Sequence, residues 1–134
     1  MLERYVEGFK PDRFLSDYMN TKKVCRTDAL RQLRAKIPKE SYYQDKIKKA
    51  LKRRYADAFV VKIAQGAYSE AGIPDVMCIV NGHYFGFEIK RPVLGAPTKL
   101  QEMTIRRIRT AGGTAAIVTW PEECFRVIDK WIRR

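Results

Sequence analysis

The sequence predicts an α/β domain, a mixed central sheet flanked by helices. Three observations lead there. Four segments of strand length stand out, at 58–66, 75–80, 83–90 and 114–120. They are separated or flanked by longer segments with the apolar spacing of helices, near 39–55, 98–111 and 121–132. Asn81-Gly82 lies between two of the strand-like runs, and that dipeptide is the strongest short-range signal for a two-residue hairpin. The resulting order is helix, three strands, helix, strand, helix, which places helices on both faces of one sheet.

The length of 134 residues suits one domain with a core of its own. Residues 1–38 read as an N-terminal helical extension and 39–134 as the main domain. Within the extension, "PDRFLSDYMN" and "TDALRQLRAK" are each a short helix. Pro11 stands near the first start, Thr27 is the expected N-cap of the second, and Pro38 closes the segment. In the helix expected over 39–55, Tyr43, Ile47, Ala50 and Leu51 form the apolar stripe. Lys46, Lys48, Lys49, Lys52 and Arg53 face away from it. Glu40, seven residues before Ile47, shares the inward stripe in the first turn. A carboxylate there suits the helix dipole or a site just beyond the helix end.

The strand 58–66 is followed by a loop at 67–73, then by the two strands of the hairpin. "RPVLGAP" is a loop. Thr98 caps the next helix, with Gln101 three residues on in the pattern of a capping box, and Gly112 or Gly113 lies past its end. "TAAIVTW" is a strand, and Pro121 opens the last helix.

The hairpin fixes a register. With Asn81 and Gly82 as the loop, Val80 pairs with His83 and Asp75 falls opposite Glu88. Cβ atoms in such a pair stand about 4.5–5.5 Å apart. Glu88 and Lys90 share a face, while Phe85, Phe87 and Ile89 join Val76, Cys78 and Val80 on the other. Opposed carboxylates beside apolar neighbours repel, so a positive group belongs between them. A divalent cation is the natural candidate, since Mg²⁺ prefers carboxylate and water oxygens. An edge salt bridge from Lys90 to one acid is the simpler alternative.

Formal net charge is +12, which points to a polyanion partner. The basic helix carries Lys48, Lys49, Lys52 and Arg53 as candidate nucleic-acid contacts, and Arg106, Arg107 and Arg109 form a second basic cluster. Cys25, Cys78 and Cys124 are scattered without metal-binding spacing. His83 is the sole histidine, which excludes His-rich zinc sites and Ser/His/Asp hydrolysis. No Walker loop is present. No apolar run approaches the roughly 18–20 residues of a membrane span, and the N-terminus lacks a signal-peptide core, so a cytoplasmic, intracellular protein without a membrane partner is expected.

Pro74-Asp75, twelve residues, then Glu88-x-Lys90 resembles the PD-(D/E)xK nuclease signature. The wider pattern comprises Glu40 leading a helix, "KIAQGAYSEAGIPDV", "GFEIK", "TKLQ" and "AGGTAAIVTW". Over residues 40–120 it is similar to the VRR-NUC branch of that superfamily, including small stand-alone virus-type members. Ile89 stands where valine is common, and the insertion after Lys90 is of family-like length.

The resemblance implies a PD-(D/E)xK restriction-endonuclease-like core and a Mg²⁺- or Mn²⁺-dependent deoxyribonuclease of the virus-encoded type. Glu40, Asp75, Glu88 and the carbonyl of Ile89 would hold the metal. Lys90 would position the attacking water or stabilise the transition state, and Gln101 would support the site. Lys62, Gln65 and Gly66 would approach DNA. Branched DNA, including four-way (Holliday) junctions, is the implied substrate, and a homodimer the implied assembly. Two readings compete: a basic module that binds nucleic acid without cutting it, and a sequence-specific restriction-type nuclease.

Overall fold

A computed structural model describes residues 10–64 and 71–133 of the chain. Along the chain these form α1 (Pro11–Lys22), α2 (Arg26–Lys36), α3 (Glu40–Arg54), β1 (Phe59–Lys62), β2 (Val76–Val80), β3 (His83–Ile89), α4 (Lys99–Thr110), β4 (Thr114–Val118) and α5 (Pro121–Ile132). The sheet order is β1-β2-β3-β4. The first three strands are an antiparallel meander, and β4 joins β3 in parallel after the α4 crossover. This is the expected mixed sheet with helices on both faces.

The hairpin register is the expected one. Val80 pairs with His83, and the ladder runs to Val76 opposite Phe87. Asn81 and Gly82 both have positive φ, 49° and 77°, as a type I′ turn demands. That turn twists with the strands and so locks the pairing.

Alternation then sorts the side chains. Val76, Cys78, Val80, Phe85, Phe87 and Ile89 are all buried on one face. There they meet Tyr43, Ile47 and Leu51 of α3 and Cys124 and Ile128 of α5. Phe14, Leu15 and Tyr18 of α1, Ala29 and Leu33 of α2, and Ile37 join the same core. Full burial of a side chain such as Phe85 or Leu33 contributes about 1.5–3 kcal/mol. On the other face α4 lies against β4 and β3.

Two boundaries differ from expectation. Thr27 lies inside α2, and the extended Cys25 holds the N-cap position, with no side-chain capping bond. The chain therefore enters this helix without a cap from the Thr27 hydroxyl. β1 ends at Lys62 instead of continuing to residue 66, although Ile63 N–H still donates to Asp75 O at 2.7 Å. Gln65 and Gly66 lie outside the described residues. At the end of α2, Ile37 is extended (ψ 133°), the conformation favoured before a proline.

Candidate active site

The open end of the hairpin gathers the charged residues. Asp75 immediately precedes β2, Glu88 is the penultimate residue of β3, and Lys90 follows β3 directly. Glu40 arrives from another direction as the first residue of α3. One carboxylate oxygen each from Glu40, Asp75 and Glu88 lies within 4.8 Å of the others. Asp75 is 8% exposed and Glu88 1%.

Each acid is held differently. Asp75 Oδ2 accepts the Ile89 N–H at 2.9 Å, so Asp75 reaches across the hairpin to the backbone of the facing strand. Glu88 Oε1 accepts a bond from Gln101 Nε2 at 2.7 Å and stands 3.4 Å from Lys90 Nζ. Glu88 Oε2 is buried and has no hydrogen-bond partner among the described residues. Gln44, one turn along α3, donates to Glu40 Oε1 at 3.4 Å.

The electrostatics follow from this crowding. Burial pushes the Glu88 carboxyl up to about 8; the Asp75 charge adds to the rise and Lys90 opposes it. Burial also raises Glu40, with Lys90 opposing and Asp75 reinforcing. The Lys90–Glu88 ion pair exists, as the simpler alternative required, but it engages only Oε1. Three carboxylates converge here, and Lys90 pairs with Glu88 alone while Lys90 and Arg91 both act on Glu40. A hard cation with oxygen ligands suits this donor set, and the orphaned Oε2 is the atom that most needs one.

Gln101 serves two purposes with one amide. Its Oε1 accepts the Thr98 N–H at 2.9 Å, which completes the capping box, and its Nε2 goes to Glu88. The capping bonds and the bond to Glu88 are present together.

Lys90 is fixed through its backbone. Its N–H donates to Val118 O, and its carbonyl accepts from Thr119 Oγ1 at 3.0 Å. A Cβ at Gly95 would lie 2.9 Å from Lys90 Cβ, so only glycine lets the following loop press this closely. Arg91 is the residue that sequence reasoning missed. Its guanidinium donates to Arg34 O, Ile37 O and Pro38 O at 2.7–3.0 Å. It thereby caps the end of α2 and pins the segment that delivers Glu40. Those partners lie 53 to 57 residues away, so no local pattern announces them. Its place directly after Lys90 was the only available signal.

The basic residues are distributed less simply. Lys62 is paired with Asp45 at 3.0 Å on the flank of α3 that also carries Lys48 and Lys52. Lys49 and Arg53 lie on a different flank, in a groove of about 580 Å³ shared with α5 residues such as Phe125. Lys49, Lys52 and Arg53 are exposed and Lys48 is half-buried. In the second cluster, Arg109 gives both Nε and Nη2 to Ala115 O, tying α4 to β4.

A hairpin with acids at its open end, extended by a parallel strand and flanked by helices, defines the class: an α/β fold built on a mixed four-stranded sheet. The chain is similar to a solved structure described as a VRR_NUC domain, with a TM-score of 0.51 and 22% identity over 65% of this chain and 95% of that one. The fold is that of a VRR_NUC domain, as the sequence resemblance implied. No family model and no curated protein matches the chain.

Proposed function

We propose that the protein is a Mg²⁺- or Mn²⁺-dependent DNA endonuclease. One observation carries the reading: a buried Glu88 oxygen, without a hydrogen-bond partner among the described residues, beside two further carboxylates and a lysine. An edge salt bridge explains Oε1 and leaves Oε2 unexplained.

In this reading Glu40, Asp75, Glu88 and the Ile89 carbonyl hold the ion. When bound, it polarises a phosphoryl oxygen and lowers the pKa of water. Asp75 accepts the Ile89 N–H and so fixes the peptide next to Glu88. Gln101 orients Glu88 through Oε1, leaving Oε2 for the ion. Lys90, mostly buried and anchored at both its N–H and its carbonyl, presents a fixed positive charge to developing negative charge on the phosphate. Residues 39–134 supply this domain. Arg34, Ile37 and Pro38 of the preceding extension buttress it through Arg91.

Lys48, Lys49, Lys52 and Arg53 contact the DNA backbone, and Lys62 and Gln65 approach the DNA. Such contacts read shape and position rather than sequence. The preferred substrate in this reading is branched DNA such as a four-way junction, cut by a homodimer whose two-fold symmetry matches paired incisions. Among the described residues no helix is long and apolar enough to cross a membrane.

Purified protein incubated with linear, flap and four-way DNA, with Mg²⁺, Mn²⁺ or EDTA, tests the reading. Cleavage of branched substrates that EDTA abolishes is the expected result. Salt-sensitive binding without any product would make this a binding module, and one preferred duplex sequence would make it a restriction-type enzyme.

A further inference from the structure

Among the described residues β4 is an edge strand, paired only with β3. Its backbone groups divide by alternation. Val118 O accepts the Lys90 N–H, so Thr114, Ala116 and Val118 turn their N–H and C=O groups toward β3. Ala115, Ile117 and Thr119 turn theirs away from the sheet. An open row of this kind is a template for the strand of another chain.

Two helices close most of that row. Arg109, near the end of α4, gives Nε (3.0 Å) and Nη2 (2.8 Å) to Ala115 O. Glu123, in the first turn of α5, accepts the Thr119 N–H at 2.9 Å and the Trp120 N–H at 3.1 Å through one oxygen, Oε1. The two side chains thus cap the row on either side of Ile117. Between them the outward N–H and C=O of Ile117 stay open among the described residues, and its side chain is 37% exposed.

The strand supplies no protection of its own. Thr114–Val118 reads TAAIV, without a charge or a proline, and its register with β3 is unbroken by a bulge. Those are the features that ordinarily blunt an edge. The start of α5 accounts for the Trp120 bond, but it does not account for the exposed Arg109 guanidinium turning from water to a strand carbonyl.

We infer that Arg109 and Glu123 are edge guards, which keep β4 from accepting the β4 strand of a second copy of this chain. Without them, two copies related by a two-fold axis join β4 to β4 in one continuous sheet. The consequence reaches the acid cluster. Ile117 is the register partner of Glu88, and it lines a cleft of about 420 Å³ together with Lys90 and Thr119. A strand laid on β4 covers that cleft. The guards keep this flank open, and a dimer of the proposed enzyme uses another surface. The inference stands on backbone geometry and does not depend on the nuclease reading.

Gel filtration with light scattering tests it on the full chain. Arg109→Ala/Glu123→Ala is expected to form a species larger than the wild type's, in a proportion that rises with protein concentration. Adding Ile117→Lys places a charge on the open edge and is expected to return the wild-type mass without restoring stability. Arg109→Ala alone leaves the start of α5 intact and is expected to give the same larger species at higher concentration. That variant decides the matter if the double variant does not fold, as circular dichroism would show. In the wild type, hydrogen exchange followed by NMR should find the Ile117 N–H fast and the Thr119 N–H slow. Folded guard variants that keep the wild-type mass at every concentration would overturn the inference. So would a larger species that Ile117→Lys leaves unchanged, or a protected Ile117 amide in the wild type.

Discussion

Gln101 and Glu88 are joined by a 2.7 Å hydrogen bond that ties the first turn of α4 to the carboxyl end of β3. The same amide group caps its own helix through Oε1, so helix initiation and carboxylate orientation are a single structural event. Substitution can separate them. Gln101→Glu keeps an acceptor for the Thr98 N–H but loses the donor to Glu88 and adds a like charge. We expect near-complete loss of metal-dependent cleavage. Gln101→Ala should lose about 1 kcal/mol of stability with the cap, in addition to activity. Urea denaturation beside a cleavage assay distinguishes the two.

Glu88 gives the second prediction. An unpartnered buried carboxylate oxygen destabilises the metal-free fold. Glu88→Gln should therefore unfold at a higher temperature than the wild type in EDTA. Adding Mn²⁺ at a hundred times its dissociation constant should stabilise the wild type by about 2.7 kcal/mol and leave Glu88→Gln nearly unmoved. Equal metal-induced stabilisation of both proteins would remove the three acids as the binding site.

Arg91 gives the third. Removing it strands three carbonyls at the end of α2. Arg91→Ala should cost about 1.5–3 kcal/mol, the range for hydrogen bonds to a charged group. It should also weaken Mn²⁺ binding by titration calorimetry, since Glu40 would lose its fixed entry into α3. Arg91→Lys should not restore binding, because an ammonium lacks the planar fork. Unchanged Mn²⁺ affinity in a folded Arg91→Ala protein would reduce Arg91 to a scaffold residue.

A fourth prediction concerns acid. Asp129 of α5 accepts bonds from Tyr55 and Arg54, both at 2.7 Å, joining α5 to the end of α3. Burial pushes its carboxyl upward, but the Tyr55 hydroxyl and Arg54 outweigh that and hold it below the ordinary value of 3.8. A depressed carboxyl stabilises the fold above its unfolded pKa, and the contribution disappears as pH falls through the folded value. Asp129→Asn should lower stability at neutral pH by under about 1 kcal/mol, since the ion pair is solvent-screened. The difference from wild type should vanish in acid well below 3.8. Denaturation curves at neutral and strongly acid pH would show it.

Much of the site was legible because its signals are local. Asn81-Gly82 sets the hairpin twist, and side-chain alternation then carries the register from Val80–His83 toward Asp75 and Glu88. Thr98 and Gln101 announced their cap through a three-residue spacing. Thr27 misled because a capping residue type does not make a cap: Cys25 already stands extended before the helix. The functions of Lys62 and Arg109 were obscured for a different reason. Charge alone does not tell a free cation from one bound to Asp45 or to the Ala115 carbonyl.

The sequence by itself determined the strands, the turn and the side on which each acid would emerge, because backbone propensity and period-two alternation act over a few residues. Only the tertiary structure brought Glu40 from α3 to within 4.8 Å of the hairpin acids, set Arg91 against α2 and left one Glu88 oxygen without a partner among the described residues. Those relationships join residues separated by dozens of positions. They exist because apolar burial presses the helices onto the sheet, and that long-range packing leaves no periodic trace in the chain.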